Sequence, residues 1–413
     1  MKLLINLCAH DGIISYYTGV GTMVNRYIDS IIKILNDNNI DYDLNLFTPE
    51  YNTDSFGYNK LLHEKHRNLN IKEVSNGSFG SINYGSIKEW KLLSLNTAFI
   101  INSIDKTKYD KVLTIYNDTP YACLSNYLKN EDNHIKVWIP HSTVKIHVVD
   151  SAIENSIDFY NDRLEWEMNA VKYINNDKNS YLGCICDYVK EHLINEYFLD
   201  RDKAIDIYNG EILEDKNYNF SSDSYKILEE INKFDRIVLS FSRAEEYKNL
   251  EGTMYLGKEL GFNTVVITQY YYKNQPILKD YEKISKITNT NLYISPPFDL
   301  AKCILKEYNK DIILVVPSKK EVMGLIINET RKLNKDNILI VANSVGGLKE
   351  QIDDTVNGLL VDMNDIKSSA LKIKKYYTKE NMIYMNKNSQ ILLREKYDFN
   401  KNMKEFLMRV GVL

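Results

Sequence analysis

The chain has 413 residues, of which 44% are hydrophobic and 26% charged, and a formal net charge of −4. That length exceeds one hydrophobic core and suits two α/β domains, and the composition is that of an ordinary globular protein. The acidic balance supplies no attraction for nucleic acid as the main partner. No window reaches membrane-spanning length without charges, and residues 1–9 are too short for a secretory apolar region, so a cytoplasmic location is expected. The five cysteines (Cys8, Cys123, Cys184, Cys186 and Cys303) are scattered and lie mostly in apolar runs. They read as reduced core thiols. Cys184-Ile185-Cys186 lacks zinc-site spacing, and no metal site is expected.

The first half alternates strand and helix patterns. Strands are predicted over 2–8, 42–47, 112–116, 136–139 and 181–185. Helices are predicted over 19–35, with Val24, Ile28, Ile31, Ile32 and Leu35 on one face, and over 92–103 and 163–174. Residues 75–86, rich in Gly, Ser and Asn, read as a loop. Tyr208-Asn209-Gly210 closes this half, and the polar stretch 214–224 reads as a linker. A second series follows, with strands over 236–241, 263–268, 290–295, 312–316, 338–342 and 358–361. Its helices are expected over 250–260, 300–308, 325–332 and 366–377. This double alternation predicts two doubly wound, Rossmann-like parallel sheets facing each other across a cleft. The predicted domains are 1–213 and 214–390, with a helical tail, 391–413, packing back on the first.

The segment 311–362 carries most of the chemistry. A buried strand leads to Pro317-Ser318, Glu321 and Gly324, and a helix opening at Leu325 carries Glu329. A second strand leads to Gly346-Gly347 and Glu350. A helix start offers free N–H groups to an anion, glycines allow close backbone approach, and carboxylates accept hydrogen bonds from sugar or ribose hydroxyls. A nucleotide sugar has all of these parts. Arg243 and Lys248 follow the first strand of the second half, where two cations neutralise a diphosphate leaving group. Gly19-Val20-Gly21 sits between the first strand and first helix, in a polar loop with His10, Asp11, Tyr16 and Tyr17. His141 follows a strand and Pro140, where it is placed to hydrogen-bond a sugar hydroxyl. Arg163 and Glu167, four apart, read as an exposed helix pair.

The ordered set of these motifs resembles the retaining, nucleotide-sugar-dependent glycosyltransferases of GT-B fold, family 4. It comprises Arg243 then Lys248, then Pro317-Ser318 with Glu321, Gly324 and Glu329, then Gly346-Gly347-Leu348 with Glu350, then Asn357-Gly358, with Asn209-Gly210 and His141 in the first half. Departures are Ser242 for the usual Gly, Val322-Met323 for Pro-Phe, and Thr330 for Ala. The resemblance implies a catalytic set of Glu321, Arg243, Lys248 and His141. It implies donor contacts from Glu329, Gly21, Gly324, Leu325, Ser318, Gly346 and Gly347. The acceptor is expected on the first domain, near His10, Asp11, Tyr16, Asn117 and Asp118. The implied reaction moves a hexose-type sugar, from a UDP-sugar first and a GDP-sugar next, to a hydroxyl acceptor, without a metal or a permanently bound cofactor. Peripheral membrane contact stays open. The rival readings are a GT-B epimerase or phosphorylase and a non-catalytic GT-B partner subunit.

Overall fold

The computed structural model describes all residues except 16–17, 52–57, 78–85, 147–156, 215–217 and 271–273. The chain divides into two compact units, one of residues 1–212 with 398–413 and one of residues 213–397.

Among the described residues, the first unit is built on the strands β1 (Lys2–Cys8), β2 (Asp41–Pro49), β3 (Asn70–Val74), β4 (Lys111–Asn117), β5 (His134–Ile139), β6 (Ser180–Cys184) and β7 (Ala204–Asp206). They form one sheet in the order β3-β2-β1-β4-β5-β6-β7, with every pairing parallel. Its helices are α1 (Gly19–Asp37), α2 (Lys60–His66), α3 (Ile87–Ser103), α4 (Ile157–Asn176) and α5 (Asp187–Tyr197). Helix α1 starts where Thr18 caps it by accepting from the Gly21 N–H, and it buries Val24, Tyr27, Ile28, Ile31 and Leu35.

The second unit begins with α6 (Ser222–Ile231), capped by Ser221, so part of the stretch expected as linker is helix. Its sheet comprises β8 (Arg236–Arg243), β9 (Asn263–Gln269), β10 (Thr290–Ile294), β11 (Asp311–Val316), β12 (Ile338–Asn343) and β13 (Leu359–Val361), in the order β10-β9-β8-β11-β12-β13. It is again parallel throughout. The helices are α7 (Leu250–Leu260), α8 (Pro276–Thr288), α9 (Leu300–Glu307), α10 (Leu325–Leu333), α11 (Leu348–Gln351), α12 (Ile366–Tyr376) and α13 (Lys379–Lys396). Successive strand residues point to opposite faces, and both faces are apolar. Ile312, Leu314 and Val316 pack with Ile304 of α9 and Ile327 of α10. Ile313 and Val315 pack with Leu256 of α7 and Ile373 of α12.

The tail is two helices rather than one. Helix α13 belongs to the second unit and α14 (Phe399–Arg409) to the first. The break lies at Tyr397-Asp398, where the Asp398 carboxylate accepts from the Asn400 and Lys401 N–H groups and starts the new helix. The Phe399 N–H donates to the Glu211 carbonyl (2.9 Å), and its ring lies 5.3 Å from that of Tyr27. The Phe399→Ala substitution is therefore expected to destabilise the first unit by about 3–5 kcal/mol. Urea unfolding followed by a probe in that unit measures this.

Candidate functional site

In the second unit the strand order reverses between β8 and β11. The loops leaving their C-terminal ends diverge there, which is where open parallel sheets take ligands. The loop after β8 brings Lys248 and, at the strand's last position, Arg243; the loop after β11 brings Ser318 and Glu321. The Lys248 ammonium lies 2.8 Å from Glu321 Oε2, and both side chains are mostly buried. Ser318 Oγ donates to the same oxygen at 3.2 Å. Arg243 lies 3.1 Å from Glu245 and donates to the Tyr247 hydroxyl at 3.3 Å. The Lys248 ammonium also sits over the Tyr247 ring, 4.8 Å from its centre. Burial, reinforced by the Glu245 carboxylate, pushes the Tyr247 phenol well above its ordinary range, so it stays protonated.

Two clips join these loops. The Lys319 N–H donates to the Tyr247 carbonyl (2.7 Å), and Asn249 Nδ2 donates to the Pro317 carbonyl (3.1 Å). Asn249 adopts φ 52°, a left-handed conformation that asparagine tolerates better than most residues. Neither clip has a sequence signature beyond that asparagine.

Gly324 caps α10, Leu325 opens it, and Glu329 follows one turn on, 3.9 Å from Lys302 of α9. The first N–H groups of a helix have no partner within it, which makes this end suited to an anion. The expectation that Gly346-Gly347 serves phosphate meets another reason in the fold. Gly346 has φ 43°, and a Cβ on Gly347 would lie 1.9 Å from the Val322 carbonyl oxygen. The Gly347 N–H donates to the Glu321 carbonyl at 3.0 Å, so the turn braces the segment that presents Glu321.

In the first unit the strand order reverses between β1 and β4. His10 and Asp11 follow β1, Asp118 follows β4, whose last residue is Asn117, and His141 lies just beyond β5. Tyr16 lies outside the described residues. Asp11 is buried and organises its loop, accepting from the Gly12 N–H, Ser15 Oγ, and the N–H and Oγ1 of Thr18. A Cβ on Gly21 would lie 2.5 Å from Asp11 Oδ2. Glycine at 21 is thus required by Asp11, and its N–H is held by Thr18.

Asn117 Nδ2 donates to the Cys8 carbonyl (3.2 Å), and its Oδ1 lies 3.3 Å from His141 Nε2. Because an amide oxygen only accepts, this bond places the His141 proton on Nε2 and leaves Nδ1 as an acceptor. Burial pulls His141 down to about 4, opposed by Asp118 and aided by His10. Asp118 has φ 64° and ψ 178°, a strained conformation for a side-chain-bearing residue. Its N–H donates to the Ile139 carbonyl, and its carbonyl accepts from Trp138 Nε1. Burial raises the Asp118 carboxyl, but His10, His141, Arg163 and the Thr119 N–H outweigh it and hold it below its usual range.

Arg163 and Glu167 are not the exposed pair their spacing suggests: they are 1% and 0% exposed. Among the described residues no group of His, Cys, Asp and Glu is arranged to hold a metal ion, and no helix is long and apolar enough to cross a membrane.

Residues 221–391 match the family model described as Glycosyl transferases group 1. This segment is a group 1 glycosyltransferase domain. The chain is 26% identical over 266 residues to an uncharacterized glycosyltransferase of Methanocaldococcus jannaschii, a match spanning 62% of each protein. Sucrose-phosphate synthase from Thermosynechococcus elongatus superposes with a TM-score of 0.76 at 14% identity, covering 99% of this chain and 98% of that one. The HepE protein of Anabaena, in complex with UDP and glucose, superposes with a TM-score of 0.71 at 15% identity, covering 99% of both. The fold of the group 1 domain and its companion unit is that of the GT-B glycosyltransferases.

Histidine NMR is expected to show a His141 midpoint near 4 instead of the ordinary value of about 6.5. The unfolded chain then binds the extra proton between those values. His141 therefore contributes stability that is present above about 6.5 and lost as pH falls toward 4. Thermal unfolding midpoints across that window check the sign.

Proposed function

We propose that this chain is a retaining glycosyltransferase of family 4 that moves a hexose-type sugar from a nucleotide-diphosphate sugar to a hydroxyl acceptor. A UDP-sugar is the favoured donor and a GDP-sugar the next. The observation that carries this reading is the convergence of Arg243, Lys248, Ser318 and Glu321 at the strand-order reversal of the second sheet. The Anabaena protein is known in complex with UDP, with UDP and glucose, and with UDP-glucose, which supports the choice of donor.

In this reading the bond between the anomeric carbon and the diphosphate breaks, a new one forms to the acceptor hydroxyl oxygen with configuration retained, and that hydroxyl's proton leaves on the departing diphosphate. Arg243 and Lys248 take the charge that builds on the departing diphosphate, an interaction stronger in the transition state than before it. Glu321 orients Lys248 through its 2.8 Å contact and presents its other oxygen to sugar hydroxyls. Glu329 receives the ribose hydroxyls, and the start of α10 at Gly324 and Leu325 supplies N–H groups to phosphate. On the first unit, neutral His141 offers Nδ1 to a sugar hydroxyl, and the acceptor lies near His10, Asn117 and Asp118. The chemistry needs no metal, and the protein works in the cytoplasm.

Calorimetry against UDP, GDP, dTDP and ADP is expected to select UDP, with binding weakened in Glu329→Ala. Lys248→Ala is expected to lower kcat for UDP release from UDP-glucose about a hundredfold, or roughly 3 kcal/mol. EDTA is expected to leave it unchanged. Near-normal turnover in Lys248→Ala contradicts the site assignment.

A further inference from the structure

Arg163 and Glu167 lie one turn apart on α4, fully buried, with Arg163 Nε 2.8 Å from Glu167 Oε1. The pair also reaches other segments. Arg163 NH2 donates to Thr119 Oγ1 (3.1 Å), and that hydroxyl donates to Glu167 Oε1 (3.2 Å). Glu167 Oε2 accepts from the Val144 N–H (3.0 Å) and from the Tyr197 hydroxyl (2.6 Å). The neighbouring Trp166 Nε1 donates to the Thr119 carbonyl (2.9 Å). Helix α4 thus grips the loop after β4 one residue beyond Asp118. It grips the loop after β5 three residues beyond His141.

Stability alone does not call for such a pair. Two buried charges pay heavily in desolvation, and well-packed apolar side chains in their place are often as stable or more so. What apolar residues cannot do is hold the backbone and side-chain groups of two loops at fixed distances. Asp118 needs such holding, because its backbone conformation persists only where its surroundings over-determine it.

We propose that Arg163 and Glu167 are positioning residues for transfer, fixing Asp118 and His141 relative to each other so that both are aimed before substrate arrives. This rests on the glycosyltransferase reading above. The groups facing His141 are Asn117 at the end of β4, Asp118 after it, His10 after β1, and the Tyr27 ring on α1, 6.2 Å away between ring centres.

The test uses the full chain and two variants: the apolar double substitution Arg163→Met with Glu167→Leu, and Glu167→Gln. The glutamine turns an N–H group toward one set of donors. Three readouts are taken: long-range proton–nitrogen NMR of His141, UDP release from UDP-glucose, and calorimetry with UDP. The expected result is a folded variant in which His141 loses its single Nε2–H tautomer and its midpoint moves toward the ordinary value of about 6.5. UDP release falls about a hundredfold while UDP affinity is unchanged. A folded variant with wild-type His141 signals and wild-type UDP release overturns the proposal. So does failure of both variants to fold, which makes the pair a stability element. If the wild-type protein does not bind UDP, the glycosyltransferase reading fails, and the His141 spectrum still decides whether the pair positions that ring.

Discussion

A parallel sheet sends every strand out of the same edge, and where the strand order reverses, the outgoing loops must part. That constraint operates in both units, between β1 and β4 in one and between β8 and β11 in the other. The candidate catalytic and acceptor-side residues at the strand ends fall at or beside such a reversal. Arg243, Lys248, Ser318 and Glu321 converge at one; His10, Asp11, Asn117, Asp118 and His141 gather at the other, His141 from the next strand over. The architecture gathers polar groups from distant parts of the sequence at the ends of the strands.

Gathering is not sufficient, because loops move and catalytic electrostatics depends on groups already aimed. The fold supplies its own fasteners. In the second unit the Gly347 N–H holds the Glu321 carbonyl, and Asn249 and Lys319 tie the two loops together. In the first unit the Asp11 carboxylate serves as a four-bond hub for the loop before α1. The Asn117 amide sets the His141 proton through one bond to the Cys8 carbonyl. Glycine at 21 and 347 answers to these fasteners: the first leaves room for a carboxylate and the second for a carbonyl.

The apolar runs of β1, β8, β11 and β12 are plain in the sequence because both faces of a parallel strand are covered. β3 has no such run: of its residues only Val74 is buried. β7 is three residues long, too short for any period to show. Helix α6 hid in a polar stretch, since only three of its residues are buried. Spacing named Arg163 and Glu167 as partners but could not reveal their burial, because one helical turn looks the same inside and outside a protein. The glutamates, Arg243 and Lys248 stand out as charges beside apolar strands. Asp11 as a hub and Gly347 as a brace do not, since their partners are set by tertiary folding.

The proposed function requires the reversal point of the second sheet to hold a nucleoside diphosphate. A crystal structure of the protein with UDP tests it most directly. The diphosphate is expected beside Arg243 and Lys248 at the ends of β8 and β11, with the ribose at Glu329. UDP bound elsewhere on the chain, or its absence from that site at saturating concentration, would contradict it.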